Sequence, residues 1–245
     1  ITLDLRHETA RDVVLRLVQV YDVLTENFRP GFLDSVGLGY DVLSAANPRL
    51  IYATNSGVGP PGQRRERGSF DVVSQGTMGG GPGMEPRNGP WGLADQVGSM
   101  VFAFGITNAI VARERFGVGQ KVDVSQLGAM LTLQALGLQA FLHNGSQGVL
   151  PYARAGNPPF SWYEGSDGKW VTVGVLDPKN WPKLCAALER PDLATDPRSA
   201  DAFARSDNRE WVFAELEKAF AKFPRDEAMR RLMEADVPTG PVYDY

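Results

Sequence analysis

The chain has 245 residues, of which 43% are hydrophobic and 22% are charged, a composition typical of a globular protein that buries a sizeable core. Its formal net charge of -4, without any block of like charges, argues against a nucleic-acid partner. Cys185 is the single cysteine, so no disulfide can form within the chain, and we predict a cytoplasmic location. With one cysteine and two histidines, a structural zinc site is not expected, and we predict no metal.

The first part of the sequence alternates between strand and helix patterns. The predicted elements, in chain order, are the strand ITLDL, the helix HETARDVVLRLVQV, the strand YDVLTENF, the helix DVLSAANP and the strand RLIYATNSGVG. This alternation is typical of an α/β fold with a parallel sheet and crossover helices. Residues 57–92 then form a long stretch rich in Gly and Pro, with one short helical piece, SFDVVSQGTM. Loops of this length inside a domain are usually functional.

A long apolar helix, LADQVGSMVFAFGITNAIVARERFG, is predicted after this loop, closed by Gly117 with Arg113 and Arg115 in its last turn. Its apolar run, residues 100–112, is shorter than the roughly 20 residues that span a bilayer, so we predict no membrane association. The strand GQKVDVS and a single helix, QLGAMLTLQALGLQAFLHNG, complete a large domain predicted over residues 1–148.

A linker and a smaller α+β domain are predicted over residues 149–245. The stretch PFSWYEGSDGKWVTVGV reads as a hairpin with a DG turn. Three amphipathic helices follow: KNWPKLCAALE, NREWVFAELEKAFAKF and RDEAMRRLMEA. Cys185 lies on the apolar face of the first of these helices, which indicates a buried structural thiol. Because the chain starts at Ile1 inside a strand pattern and stops after GPVYDY, we expect a fragment.

Asp95 stands alone in NGPWGLADQVGSM, between a turn and the apolar helix. An aspartate at a helix start is a preferred N-cap, and the helix dipole favours its charge. A carboxylate held away from water is also a nucleophile. From the residues alone the N-cap is the favoured interpretation, and the nucleophile is the alternative.

Asn27, Phe28 and Arg29 follow a predicted strand directly, which is where open α/β sheets bind ligands. An amide, an aromatic face and a guanidinium would suit a nucleotide-like ligand. From the residues alone, a simple turn before a helix is the favoured interpretation. The sequence has no Walker, GxSxG or HExxH motif that would point to another class of enzyme.

Four stretches together resemble class III CoA-transferases, the CaiB/BaiF family. They are DVLTENFRPGFLDSVGLGYDVLSAANPRLIYATNSGVGPPG, ARERFGVGQKVDVSQLGAM, LERPDLATDPRSADAFARSDNRE and VPTGPV. The resemblance implies a Rossmann-like large domain with a parallel sheet plus a smaller α+β domain. It also implies a homodimer of two interlocked subunits, and this chain would be a fragment of one such subunit.

The resemblance implies that Asp95 is the nucleophile of a CoA-transferase. Its carboxylate would attack an acyl-CoA to form a mixed anhydride, become an aspartyl-CoA thioester, and pass coenzyme A to a carboxylic acid acceptor. No metal is implied. The resemblance places coenzyme A at Asn27, Phe28, Arg29, Arg67, Phe70 and Asp71, and the substrate at Gly156 and Asn157.

Two positions depart from the pattern of formyl-CoA transferases, which have a lysine where Gly68 stands and an arginine where Ser35 stands. The contacts to the CoA phosphates must therefore differ, and Arg64, Arg65 and Arg67 are the candidates.

Three alternatives are open, of which an unrelated nucleotide-dependent oxidoreductase is the weakest, because the chain lacks the glycine fingerprint of that class. An α-methylacyl-CoA racemase needs paired acid and base groups, and racemases carry a His-Asp pair where this chain has Phe70 and Asp71. Phenylalanine cannot take a proton, which argues against a racemase. A non-catalytic acyl-CoA-binding homologue is the second alternative, and the intact Asp95 argues against it.

Overall fold

The computed structural model describes residues 1–59, 69–76, 92–145 and 157–243. The chain divides into two compact units, residues 1–148 and 149–245. Most of the predicted glycine-rich loop and of the predicted linker lies outside the described residues, including Arg67 and Gly156.

The first unit is built on a parallel sheet, which confirms the predicted α/β class. Within the described residues its strands are β1 (Val23–Glu26), β2 (Ile51–Ser56) and β3 (Gln120–Ser125), in the order β1-β2-β3. Ala53 on the middle strand pairs with Thr25 on one side and Val122 on the other. The first four residues of β2 are buried, as expected for an apolar middle strand.

Helices connect these strands. They are α1 (Glu8–Leu17), α2 (Phe32–Ser35), α3 (Tyr40–Ala46), α4 (Asp71–Gln75), α5 (Leu93–Phe116), α6 (Gln126–Leu133) and α7 (Ala135–Asn144). Helices α2 and α3 link β1 to β2, and α4 and α5 lie between β2 and β3 in the chain. The crossovers are therefore helical, as a parallel sheet requires.

The two faces of this sheet are covered differently. Tyr52 belongs to an apolar cluster with Leu43 and Leu50 on one face. Helix α5 packs on the other face, where a Cβ added at Gly105 would lie 2.9 Å from Val122 Cγ1. The glycine therefore lets the helix approach the strand closely.

Two predictions in this unit were wrong. ITLDL is not a strand, because no described strand pairs with it and its first four residues are exposed; a strand needs a hydrogen-bonded neighbour. The single helix predicted from residue 126 is two helices, because Gln134 leaves the helical region at φ -95 and ψ 10.

The second unit is a small antiparallel sheet packed on helices. Its described strands are β4 (Phe160–Glu164), β5 (Trp170–Gly174) and β6 (Thr239–Pro241), in the order β4-β5-β6. Its helices are α8 (Asn180–Ala187), α9 (Ala202–Asp207), α10 (Arg209–Phe220) and α11 (Arg225–Glu234), with a 3-10 turn at Pro191–Ala194. The predicted hairpin and the three predicted helices are confirmed, while α9 was not predicted.

The core of this second unit contains buried aromatic side chains and the thiol of Cys185. Tyr163 stacks on Phe220 with ring centroids 4.6 Å apart. Cys185 is fully buried, and burial raises the pKa of its thiol to about 12. The prediction of an inert structural cysteine is confirmed, since only the thiolate is reactive.

Candidate active site

The carboxyl ends of β2 and β3 meet the start of helix α6. Ser125 ends β3 and caps α6, because its Oγ accepts a hydrogen bond from the N–H of Gly128 at 3.0 Å. The N–H of Leu127 donates to the carbonyl of Gly57, just after β2, at 3.0 Å. These bonds fix the edge of the sheet at which α/β proteins bind ligands.

Asp95 lies in the first turn of α5, but it does not cap that helix. The N-cap is Gly92, which adopts a left-handed conformation at φ 72, and Asp95 is the third helical residue. The N-cap interpretation of Asp95 was therefore wrong: the cap position falls three residues earlier, and the Asp95 side chain is exposed and available for other contacts.

Asp71 supplies the missing cap from helix α4. Its Oδ1 accepts hydrogen bonds from the N–H groups of Ala94, at 2.8 Å, and of Asp95, at 3.1 Å. Its Oδ2 accepts a hydrogen bond from Gln75 Nε2 at 2.5 Å. A carboxylate at this position satisfies backbone donors that the helix cannot, and it interacts favourably with the helix dipole. Asp71 therefore fixes the backbone from which the Asp95 side chain projects.

The Asp95 carboxylate ends a chain of polar side chains. Gln126 Nε2 donates a hydrogen bond to Asp95 Oδ1. Gln126 Oε1 accepts a hydrogen bond from Ser74 Oγ at 2.9 Å, and Ser74 Oγ lies 3.1 Å from Ser69 Oγ. Ser74 is only 4% exposed, so this chain anchors the exposed carboxylate to a buried hydroxyl.

Two further polar groups lie at the end of β2. Asn55 Oδ1 and Ser56 Oγ are buried and have no hydrogen-bond partner among the described residues. Asn55 faces the first turns of α5, since a Cβ added at Gly98 would lie 3.8 Å from Asn55 Nδ2. Ser56 lies on the opposite face of the strand and lines the cavity that contains Tyr52 and Thr54, so the two unpaired groups face different sides of the sheet.

Asn27, Phe28 and Arg29 lie directly after β1 and are exposed. The Phe28 N–H donates to Glu26 Oε2 at 2.8 Å, and the Phe28 ring lies 5.0 Å from the Phe32 ring. The prediction that these residues follow a strand of the parallel sheet is confirmed. Whether they bind a ligand stays a prediction.

A cavity of about 280 Å³ opens beside Phe28. Its titratable lining groups are Glu26, Asp34, Asp123, Lys121, Tyr40 and Tyr52. Burial raises the pKa of Glu26, and burial together with the nearby carboxylates raises the pKa of Tyr52. Lining carboxylates outnumber the one lining amine, which disfavours a bound phosphate.

This cavity and Asp95 lie on different faces of the sheet. The cavity is lined by Tyr52 and Thr54 of β2, whereas α5 packs on the face that carries Asn55. Side chains alternate between faces along a strand. The structure therefore does not bring Phe28 and the Asp95 carboxylate onto one surface of the sheet.

The other predicted site residues lie in different places. Phe70 precedes α4 and is 80% exposed, while Asn157 is exposed in the second unit, where its carbonyl accepts a hydrogen bond from the N–H of Phe160 at 2.9 Å. Arg67 and Gly156 lie outside the described residues. Among the candidates that are described, only Asp71 and Asp95 are in contact.

Sequence reasoning missed Gln126, although it follows a strand end just as Asn27 does. Within the part of the chain that is described, no group of three or more His, Cys, Asp or Glu side chains could hold a metal ion.

Helix α5 exposes several large apolar side chains. Met100 and Phe104 on α5 are 72% and 70% exposed, and Leu136 and Leu142 on α7 are exposed as well. By length and composition alone, α5 could cross a membrane, since it has 24 residues and its most apolar 18-residue stretch has a mean hydropathy of 1.2; the core helix of a soluble protein can meet the same criteria. The full helix is longer than the apolar run considered in the sequence, so its length does not exclude a membrane span.

Comparison with known proteins gives a consistent result. The family model described as CoA-transferase family III matches residues 1–245. Acetyl-CoA:oxalate CoA-transferase of Acetobacter aceti is 36% identical, with 100% of this chain and 64% of that protein aligned. The alpha subunit of succinyl-CoA–L-malate CoA-transferase of Chloroflexus aurantiacus is 33% identical, with 99% and 58% aligned.

Solved structures agree with the sequence relatives. The crystal structure of Rv3272 from Mycobacterium tuberculosis is similar with a TM-score of 0.88 and 33% identity, over 100% of this chain and 66% of that one. A CAIB/BAIF family protein from Brucella suis gives a TM-score of 0.82 and 32% identity, over 100% and 66%. The chain therefore spans less than two thirds of the length of these proteins.

Proposed function

This chain belongs to CoA-transferase family III, and on that premise we propose that the protein containing it moves coenzyme A from an acyl-CoA to a carboxylic acid. The observation that carries the proposal is the setting of Asp95. Its carboxylate is exposed in the first turn of α5, its Oδ1 is held by Gln126, and its backbone is held by Asp71. A carboxylate that is accessible and oriented at a helix start is the group that anhydride chemistry needs.

The reaction begins with two steps at Asp95. An Asp95 oxygen attacks the thioester carbonyl of the donor, the C–S bond breaks, and the CoA thiolate leaves a mixed anhydride. The thiolate then attacks Cγ of Asp95, and the donor acid departs as a carboxylate. Asp95 is now a thioester of coenzyme A.

The acceptor reverses these steps. Its carboxylate attacks Cγ of Asp95 and displaces the CoA thiolate, which gives a second anhydride. The thiolate attacks the acceptor carbonyl, so the new acyl-CoA leaves and the Asp95 carboxylate is restored. Every step exchanges one anion for another, so no proton has to be moved, but water must be excluded because it would hydrolyse the anhydride.

For coenzyme A we propose contacts with Asn27, Phe28 and Arg29 at the end of β1, with further contacts at Arg67, Phe70 and Asp71. Because Phe28 and Asp95 lie on different faces of the sheet, the bound coenzyme would pass over the carboxyl edge of the sheet to bring its thioester to Asp95. The 47% exposed ring of Phe28 offers an apolar face to a flat ring system, and the exposed guanidinium of Arg29 can pair with a phosphate. The acidic cavity beside Phe28 would not receive phosphates, so these should lie on the Arg29 side of the loop. Gly156 and Asn157 are the proposed acceptor-side residues.

The acceptor that we propose is a small dicarboxylic acid. The names of the relatives specify oxalate, L-malate and mesaconate as acceptors, with acetyl-CoA or succinyl-CoA as donors. The racemase alternative is not favoured, because Phe70 cannot act as an acid or base.

One assay separates transfer from racemisation and from passive binding. The natural protein is incubated in heavy water with succinyl-CoA or acetyl-CoA and a panel of carboxylic acids that includes oxalate and malate. A parallel incubation in heavy water contains a 2-methyl-branched acyl-CoA. We expect a new acyl-CoA for at least one acid in the first incubation and no deuterium at the α-carbon of the branched acyl-CoA in the second. Deuterium exchange without transfer would indicate a racemase, and neither reaction would indicate a binding protein; both results contradict the proposal.

We further propose that the exposed apolar face of α5 that carries Met100 and Phe104 is covered by a second copy of the protein, in a cytoplasmic homodimer of the interlocked type that the family resemblance implies. A bilayer is disfavoured because α5 also makes polar contacts with the sheet side of its unit. Arg113 near its end is only 7% exposed and forms an ion pair with Asp22 at 2.8 Å. Large apolar side chains exposed one turn apart on a helix, as Met100 and Phe104 are, are typical of a protein interface.

A charge on this face should break the dimer. Phe104→Lys places an ammonium in the proposed interface, where burying an unpaired charge is costly, and we expect the natural protein to shift from dimer to monomer. The measurement is sedimentation velocity or light scattering at micromolar protein concentration. Phe203→Lys is the matched control, because Phe203 is 84% exposed on α9 of the second unit. An unchanged dimer in Phe104→Lys would contradict the proposed interface.

A further inference from the structure

We propose that Gln126 donates a catalytic hydrogen bond to the carbonyl oxygen of Asp95 while Asp95 carries its acyl or CoA group, and that Ser74 is a positioning residue for Gln126. The inference rests on the proposed function and deepens it, because it assigns separate roles to the two oxygens of the nucleophile. It concerns the steps in which Asp95 itself is the electrophile.

In the hydrogen bond between Gln126 and Asp95, only Gln126 can be the donor. A carboxylate can only accept, so the Gln126 amide must present its N–H side, Nε2, to Asp95 Oδ1. The amide oxygen then faces Ser74, whose hydroxyl donates to it at 2.9 Å. Ser74 thus selects the amide orientation that the Asp95 contact requires.

The neighbouring structure holds this chain in place. Gln126 is the first residue of α6, directly after β3, and α6 is capped by Ser125. A Cβ added at Gly98 would lie 3.6 Å from Gln126 Cγ, so the glutamine side chain packs along the first turns of α5. Ser74 comes from α4, the same short helix that provides Asp71. One helix therefore orients both the backbone and the side chain of Asp95.

The contact makes the two oxygens of Asp95 inequivalent. Oδ1 is held by Gln126, whereas Oδ2 has no hydrogen-bond partner among the described residues. Oδ2 is therefore the oxygen that attacks the donor thioester. After this attack Oδ1 is the carbonyl oxygen on Asp95, and Gln126 still points at it.

Gln126 contributes most to the second step, in which the CoA thiolate attacks Asp95. When the CoA thiolate attacks Cγ of Asp95, the carbonyl π electrons move onto Oδ1 and the Cγ–Oδ2 bond breaks as the donor carboxylate leaves. Negative charge develops on Oδ1, where the Gln126 N–H is already oriented to stabilise it. A preoriented donor at such an oxygen is among the largest single contributions to acyl transfer.

The test measures how fast the natural protein becomes thioesterified. After rapid mixing with succinyl-CoA or acetyl-CoA and acid quenching, intact-protein mass spectrometry follows the species heavier by coenzyme A minus water, and peptide mapping assigns it to Asp95. We expect Gln126→Met to slow its formation about 100-fold. The dissociation constant for coenzyme A should change less than about twofold, because Gln126 acts on the aspartate and not on the ligand.

Further variants separate catalysis from folding. Gln126→Glu keeps the side-chain shape but its carboxylate cannot donate, so it should be slow as well. Ser74→Ala should slow thioester formation by roughly 3- to 10-fold alone and add nothing to Gln126→Met, since residues that act as a unit are non-additive. Gln120→Met, at the exposed opposite end of β3, is the matched control and should leave the rate unchanged.

The outcomes distinguish this inference from the proposed function. Thioester formation at the unmodified rate in both Gln126 variants would overturn the role of Gln126 while the transferase assignment stands. Additive losses in the Ser74 and Gln126 double variant would overturn the role of Ser74. Failure of the unmodified protein to form any thioester on Asp95 would overturn both proposals.

Discussion

Replacing Asp95 by asparagine will reduce CoA transfer by at least about 10³-fold, because the variant lacks the anionic oxygen that attacks the thioester. The asparagine Oδ1 can still accept the hydrogen bond from Gln126, so the fold and the binding of coenzyme A should persist. The measurement is the steady-state rate of acyl-CoA formation with the best donor and acceptor, together with the dissociation constant of coenzyme A.

Asp41→Asn is the control for this variant. Asp41 is also an exposed acid in the first turn of a helix, α3, so the two substitutions alter net charge and helix-dipole interactions alike. We expect the control to transfer coenzyme A at the unmodified rate. Equal activity in Asp95→Asn and Asp41→Asn would show that Asp95 is not the nucleophile.

Asp71→Ala will weaken both stability and catalysis. The substitution leaves the N–H groups of Ala94 and Asp95 without their carboxylate, and Ala94 is fully buried. Loss of a helix cap costs about 0.5–2 kcal/mol of unfolding free energy. We expect kcat to fall roughly tenfold or more, because the backbone that carries the nucleophile is no longer fixed. Urea unfolding and steady-state kinetics measure the two effects.

A matched variant at a helix cap in the second unit separates the effect on stability from the effect on kcat. Asp201 caps α9, and its Oδ1 accepts a hydrogen bond from the N–H of Ala204 at 2.8 Å. Asp201→Ala should destabilise the protein by a similar amount while leaving kcat unchanged. The positioning role of Asp71 would be wrong if Asp71→Ala kept full kcat, or if kcat fell as far in Asp201→Ala as in Asp71→Ala.

The class of fold could be predicted because its signals are local. Alternation of strand and helix patterns identified the parallel sheet, and the glycines at 117 and 145 marked helix ends that the structure confirms. The strand prediction for ITLDL was wrong because a strand depends on a partner elsewhere in the chain and not on local signals alone. Its β-branched composition predicts a strand, but a strand exists only where a neighbour completes its hydrogen bonds, and no described strand pairs with it.

The site was less predictable because its contacts are distant in sequence. Asp95 was singled out by its place before an apolar helix, and local rules favoured an N-cap. The side chain that caps α5 belongs to Asp71, which lies 24 residues upstream of Asp95, and Gln126 lies 31 residues downstream. No spacing rule connects such positions. The sequence did indicate that ligand-binding residues of an open α/β sheet directly follow its strands, and Gln126 satisfies that rule.

The most direct test of the account is chemical trapping of an acyl group on Asp95. The natural protein is incubated with acyl-CoA and hydroxylamine, which cleaves an anhydride or thioester and leaves a hydroxamate on the aspartate, and peptide mass spectrometry locates the product. We predict a hydroxamate on Asp95 that forms only when acyl-CoA is present. Turnover of acyl-CoA with Asp95 unmodified, or a hydroxamate on a different carboxylate, would contradict the account.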